Sequence, residues 1–166
     1  KTIVEQLSLL LNVPQQIAFL LVQRGITSFD QAKKYFRPAW EDLHDPFRMK
    51  DMMSAVKRIA YSIESGESVM IFGDYDVDGT TSVALMTSYL KNHIEVVVPY
   101  IPDRYKEGYG VSKAGIQKAQ AEGITLIIAL DCGIKAHEQI EYANTLGIDF
   151  IICDHHLPNS LLPKAV

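Results

Sequence analysis

Four short segments of this 166-residue chain group residue types that could do metal and phosphate chemistry. They are Gly73-Asp74-Tyr75-Asp76-Val77-Asp78-Gly79, the run from Pro102 to Gly110, Asp131-Cys132-Gly133, and Asp154-His155-His156. Several carboxylates brought together cannot all stay ionised without a counter-cation. Carboxylate oxygens joined by imidazole nitrogens suit Mn²⁺, Mg²⁺ or a similar divalent ion. The D-x-D spacing can set Asp76 and Asp78 on one side of a turn, able to hold two ions, and Asp131 could bridge them. Two ions about 3.5–4 Å apart form a clamp for phosphodiester hydrolysis. A helix opening at Thr80-Thr81-Ser82 would add free backbone N–H groups that favour an anion.

Each segment also has a plainer reading. D-Y-D-V-D-G opens like an EF-hand calcium loop, but Leu85 stands where that loop needs glutamate, and an apolar strand precedes it. It could equally be a solvated acidic turn. Asp131 alone reads as a helix cap, and Asp154-His155-His156 alone as a surface turn. Arg104 either binds a phosphate or makes a surface ion pair. Tyr109, between Gly108 and Gly110, either stacks on a base or packs inward in a turn. Cys132 and Cys153 read as small buried residues and lack the paired spacing of zinc ligands. His44, His93 and His137 show no partner pattern and read as surface or structural.

The elements that must position these groups follow from periodicity. Before residue 66 the chain reads helical. One helix covers Val4 to Leu11. Pro14 opens a second, which runs to Gly25. Ser28 or Asp30 caps a third through Phe36, ended by Pro38. Residues 37–50 form an ordered linker. Helical spacing returns from Asp51 to Ile63, closed by Gly66.

From residue 68 strands alternate with helices: strands at 68–72, 94–101, 125–130 and 149–153, helices at 80–90, 111–121 and 136–146. This pattern predicts an α/β domain with a mostly parallel sheet and helices on both faces, preceded by a helical amino-terminal extension. The expected organisation is residues 1–50 for the extension and linker and residues 51–166 for the domain. Each chemical segment follows a strand. In open parallel sheets ligands bind at the carboxyl ends of the strands, so the four segments are expected to converge.

Composition sets the remaining bounds. Hydrophobic residues make up 48% and charged residues 22%, ordinary for a globular protein. No apolar run spans a bilayer, and the start has no signal-peptide form. Two cysteines outside any C-x-x-C pair fit a cytoplasmic location. The net charge of -4 mildly opposes a broad nucleic-acid footprint, an objection that bound cations would weaken. The start at Lys1 and the apolar end at Val166 read as those of a fragment.

Taken together, the strand followed by D-Y-D-V-D-G, the later Asp131 and the Asp154-His155-His156 triplet resemble the DHH phosphoesterase superfamily. Further segments resemble its RecJ-type exonuclease branch: Leu21-Val22-Gln23-Arg24-Gly25, Leu43-His44-Asp45-Pro46-Phe47, residues 73–82, and Arg104-Tyr105-Lys106-Glu107-Gly108-Tyr109-Gly110. The resemblance implies that Asp76 and Asp78 each hold a metal ion, that Asp131 bridges them, and that His155 is a ligand. It implies that His156 contacts the phosphate or attacking water and that Arg104 holds a substrate phosphate; Asp74 is a ligand or its support. The implied reaction is stepwise 5′-to-3′ degradation of single-stranded DNA with Mn²⁺ or Mg²⁺, in recombination and repair, with repair proteins as further partners.

Two rivals remain at this stage. One is a DHH phosphodiesterase acting on short oligonucleotides or cyclic dinucleotides, and the other is a non-catalytic module of the same fold. The superfamily has a second domain and a further aspartate ligand after the triplet, so the metal site is expected to be incomplete and the chain weakly active alone.

Overall fold

The computed structural model describes residues 2–166. The chain forms two compact units, Lys1–Arg48 and Met49–Val166.

The first unit is helical: α1 (Ile3–Leu11), α2 (Gln15–Gln23) and α3 (Phe29–Phe36), then two single 3-10 turns at Trp40–Asp42 and Pro46–Arg48. Capping chemistry sets the helix starts. Thr2 accepts from the Glu5 N–H while the Glu5 carboxylate accepts from the Thr2 N–H. Ser28, not Asp30, caps α3, in the same reciprocal arrangement with Gln31. Leu7, Ala18 and Leu21 form the buried core of this unit.

The second unit is a four-stranded, all-parallel sheet of order β2-β1-β3-β4. Its strands are β1 (Val69–Gly73), β2 (Val97–Tyr100), β3 (Leu126–Leu130) and β4 (Asp149–Cys153). The helices are α4 (Met52–Ser65), α5 (Val77–Leu90), α6 (Lys113–Ala121) and α7 (His137–Thr145). Every residue of β1 and β3 is buried, as expected of central strands covered on both faces. Alternation divides the core in two. Val69, Ile71, Leu126 and Ile128 pack with Val83 and Leu90 of α5 and with Ile59 of α4. Met70, Phe72, Ile127 and Ala129 pack with Ile116 of α6 and with Ile140 and Ala143 of α7. Helices therefore cover both faces, as the sequence pattern predicts.

Three local expectations change. The strand predicted at 94–101 is confined to Val97–Tyr100, and Ile94 is buried just before it. Cys132 is buried, but Cys153, on an edge strand, is exposed. The helix expected at Thr80 begins at Val77, capped by Asp76. The early start is possible because residue 79 is glycine. A Cβ there would lie 2.4 Å from the Asp74 carbonyl oxygen and 2.6 Å from the Asp74 nitrogen. Gly73 is equally constrained, since its Cβ would lie 2.4 Å from Cγ2 of Val83. Glycines at both ends of the loop thus let α5 fold directly back onto the end of β1.

Candidate metal centre at the carboxyl edge of the sheet

The register explains how the acidic segments meet. Gly73 of β1 pairs with Leu130 of β3, and Leu130 pairs with Cys153 of β4. The next residues on these three adjacent strands are Asp74, Asp131 and Asp154. Neighbouring strands lie about 4.8 Å apart, so the register delivers three carboxylates in a row. The order β2-β1-β3-β4 also places the topological switch between β1 and β3. That is where open α/β sheets bind ligands.

Asp131, His155 and His156 come together most closely. One candidate ligand atom from each lies within 4.8 Å of the other two. His155 Nε2 is 3.0 Å from Asp131 Oδ1, and the Asp131 side chain is only 9% exposed. Asp131 adopts a left-handed backbone with φ 59°, which aspartate tolerates better than most residues. Its N–H donates to the Cys153 carbonyl at 2.8 Å, extending the β3–β4 pairing by one step.

Asp154 does a different job. Its Oδ2 accepts from the Ile134 N–H at 3.0 Å, and Oδ1 accepts from the His156 N–H at 3.1 Å. Oδ1 also lies 2.6 Å from His156 Nδ1. Burial opposes the charge of Asp154, but these donors outweigh it and hold its carboxyl below the usual range. The hydrogen bond to Asp154 in turn raises His156 above the usual histidine range. The sequence reading named the triplet but gave Asp154 no role of its own.

The β1 loop supplies the other carboxylates. Asp74 is fully buried, and neither of its carboxylate oxygens has a hydrogen-bond partner among the described residues. A buried carboxylate left in that state is costly, and a nearby cation is the remedy its chemistry asks for. Asp76 spends Oδ1 on capping α5, accepting from the Gly79 N–H at 2.8 Å. Asp78 is exposed in the first turn of that helix. Asp74, Asp76 and Asp78 stand outside the tight group of Asp131, His155 and His156. Asp74 and Asp76, though not Asp78, act together with Asp131 on a common neighbour, Cys132. Burial first, and then the carboxylates of Asp154, Asp74, Asp131 and Asp76, push the Cys132 thiol up to about 12. The charges of four acidic residues from three strand ends therefore act on one buried thiol.

The fourth segment, after β2, forms a wall beside this site. Glu107 organises it, accepting from the Tyr100 hydroxyl at 2.7 Å, from the Asp103 N–H at 2.8 Å and from the Ser112 hydroxyl. Burial opposes the Glu107 charge, yet these donors hold its carboxyl below the usual range. Tyr109 sits between Gly108 (φ 83°) and Gly110 (φ 78°), backbone that only glycine adopts at little cost. Its hydroxyl is 3.4 Å from His156 Nε2. Burial and the facing carboxylates raise Tyr109 to about 12, so it remains a neutral phenol. Arg104 lies with its guanidinium 4.4 Å from the centre of the Tyr75 ring. Among the described residues Arg104 makes no ion pair, and the Tyr109 side chain is exposed and not packed inward. A cavity of about 240 Å³ adjoins it, lined by Tyr109, Val111, Cys132, Ile134 and His156 among others. Sequence reasoning passed over Glu107 and Tyr75, although both lie inside the quoted motifs.

An all-parallel sheet with carboxylates and a histidine pair at its switch point is the arrangement of a DHH phosphoesterase domain. The family described as "DHH family, N-terminal domain" matches residues 68–166, and the chain belongs to that family. Within it, the chain is similar to the single-stranded-DNA-specific exonuclease RecJ of Bacillus subtilis, with 41% identity over 98% of this chain. Two solved structures agree. An exonuclease RecJ bound to manganese matches 70% of this chain and 30% of its own with 30% identity and a TM-score of 0.64. RecJ of Thermus thermophilus in complex with Mn²⁺ shares the fold over 98% of this chain and 22% of its own, at 23% identity and a TM-score of 0.72. The chain spans 20% of the length of the Bacillus relative.

Proposed function

We propose that this chain is the metal-binding portion of a divalent-metal-dependent phosphodiesterase that degrades single-stranded DNA from the 5′ end, in recombination and repair. The observation that carries the reading is the fully buried, unpartnered carboxylate of Asp74 beside the Asp131–His155–His156 group. Such a donor set fits Mn²⁺ or Mg²⁺. The similarity to RecJ exonucleases supports the substrate class.

Asp74, Asp76, Asp78, Asp131 and His155 would hold the metal, with Asp131 as the shared ligand. Bound divalent ions supply Lewis-acid charge and an acidified water at such a centre. Asp154 fixes the orientation of His156, which leaves Nε2 facing Tyr109 and the substrate side of the site. His156 would hold a substrate phosphate or the attacking water there. Arg104 would hold a second phosphate through its guanidinium. The ring of Tyr109 offers a face on which a base can stack.

Titration with Mn²⁺ by calorimetry tests the centre. Wild type is expected to bind, whereas Asp131→Asn and His155→Ala lose most of the heat. Asparagine tolerates the left-handed backbone at 131, so the first loss reports charge and not misfolding. Unchanged binding in both variants would remove the basis of this reading. A substrate-length series on the full-length protein tests the finer claim, because an enzyme for short oligonucleotides would lose activity as the strand lengthens. The 166-residue chain alone is expected to degrade single-stranded DNA weakly, and robust degradation would contradict that expectation.

A further inference from the structure

Arg104 is held by an aromatic ring. Its guanidinium sits over Tyr75 at 4.4 Å, and no hydrogen bond or ion pair engages its nitrogens among the described residues. Tyr75 also meets Tyr109 edge to face, with ring centroids 6.3 Å apart, and Tyr109 meets His156 in the same manner at 6.3 Å. Tyr75 thus lies between the two groups assigned to the substrate from the β2 loop. It belongs to a different segment, between Asp74 and Asp76.

We infer that Tyr75 is a positioning residue for substrate binding: its ring face holds the Arg104 guanidinium in place while leaving the N–H edges free for a phosphate. The inference rests on the phosphate role proposed above for Arg104. The physical argument is one of pre-organisation. A free arginine gives up considerable rotamer freedom when it clamps an anion. Stacking on a ring removes much of that freedom beforehand without using any N–H donor. An ion pair would orient the guanidinium equally well, but it would occupy the donors and cancel the charge that a phosphate needs. The ring does neither. The role belongs to the ring face and not to the hydroxyl, so phenylalanine should serve and leucine should not.

The test is the dissociation constant of a 5′-phosphorylated single-stranded oligonucleotide, read by fluorescence anisotropy on the full-length protein with Ca²⁺ in place of a catalytic ion. The variants are Tyr75→Phe, Tyr75→Leu, Arg104→Ala and the Tyr75→Leu/Arg104→Ala pair, each with Mn²⁺ affinity measured alongside. Tyr75→Leu is expected to raise Kd roughly three- to tenfold, with Mn²⁺ affinity kept, and Tyr75→Phe to stay near wild type. The double variant should bind no more weakly than Arg104→Ala alone, because the ring acts through the guanidinium.

Independent effects that multiply in the double variant would overturn the inference. So would loss of Mn²⁺ affinity in Tyr75→Leu without a change in Kd, or an unchanged Kd in that variant. A normal Kd in Arg104→Ala would overturn it together with the phosphate role of that residue. The expected Kd pattern in a protein that fails to hydrolyse DNA would sink the exonuclease reading and leave the inference standing.

Discussion

At the scale of single residues, the site separates groups of the same type by their surroundings. Asp74 is buried without a partner, Asp76 caps a helix, and Asp154 is satisfied by two backbone N–H groups and an imidazole. Only the first lacks any compensation from the protein, which makes it the strongest single argument for a cation here. The two cysteines differ in the same way. Burial and then the charges of nearby carboxylates push the buried Cys132 thiol up to about 12, whereas Cys153 reaches solvent and burial alone raises its thiol. Thiol labelling with a disulfide reagent at neutral pH is therefore expected to modify one thiol, Cys153, in the native protein and both in urea. Rapid labelling of Cys132 in the native state would contradict the burial and charge assigned to it.

At the scale of elements, the close return of α5 onto β1 is what brings the D-x-D segment to the sheet edge. Gly79→Ala forces a methyl group against the Asp74 backbone. It is expected to lower stability by roughly 1–3 kcal/mol and to weaken Mn²⁺ binding as the loop shifts. Urea unfolding and calorimetry on that variant measure both effects, and a variant of full stability and affinity would refute the constraint. Central β3 can be tested in the same way. Ile128 is fully buried, and Ile128→Ala should cost roughly 2–5 kcal/mol.

At the scale of the whole molecule, the amino-terminal edge of the sheet in the second unit is tied by Arg58 of α4. Its guanidinium donates to Glu67 and to Asp149, each at 2.6 Å. Burial opposes the charge of Glu67, but the hydrogen bonds from Arg58 and Ser62 and the charge of Arg58 together outweigh it and hold that carboxyl below the usual glutamate range. A depressed folded pKa contributes stability that is present above the unfolded value and lost as pH falls through the folded one. Urea midpoints measured downward from about pH 5 should therefore fall more steeply for wild type than for Glu67→Gln. Parallel slopes would show that the pair carries no such linkage. The edge opposite the proposed metal centre is thus closed by its own ion-pair cluster.

Much of this arrangement was legible in the chain itself. Alternating apolar strands and amphipathic helices from residue 68 onward leave few folds other than a covered parallel sheet, because continuous apolar strands must be buried on both faces. Acidic and histidine residues after each strand pointed to one edge for the same topological reason. Local periodicity carries no information about register or close approach, and those are what the tertiary structure decided. The pairing of Gly73 with Leu130 and of Leu130 with Cys153 aligned three aspartates that lie far apart in the chain. The early start of α5 depended on Gly79 meeting the Asp74 backbone, a contact no spacing rule reveals. The division of labour between Asp131 and Asp154, and the stacking of Arg104 on Tyr75, also arose only in three dimensions. Each depends on which side chains the folded sheet leaves within reach, and long-range packing sets that where sequence neighbours do not.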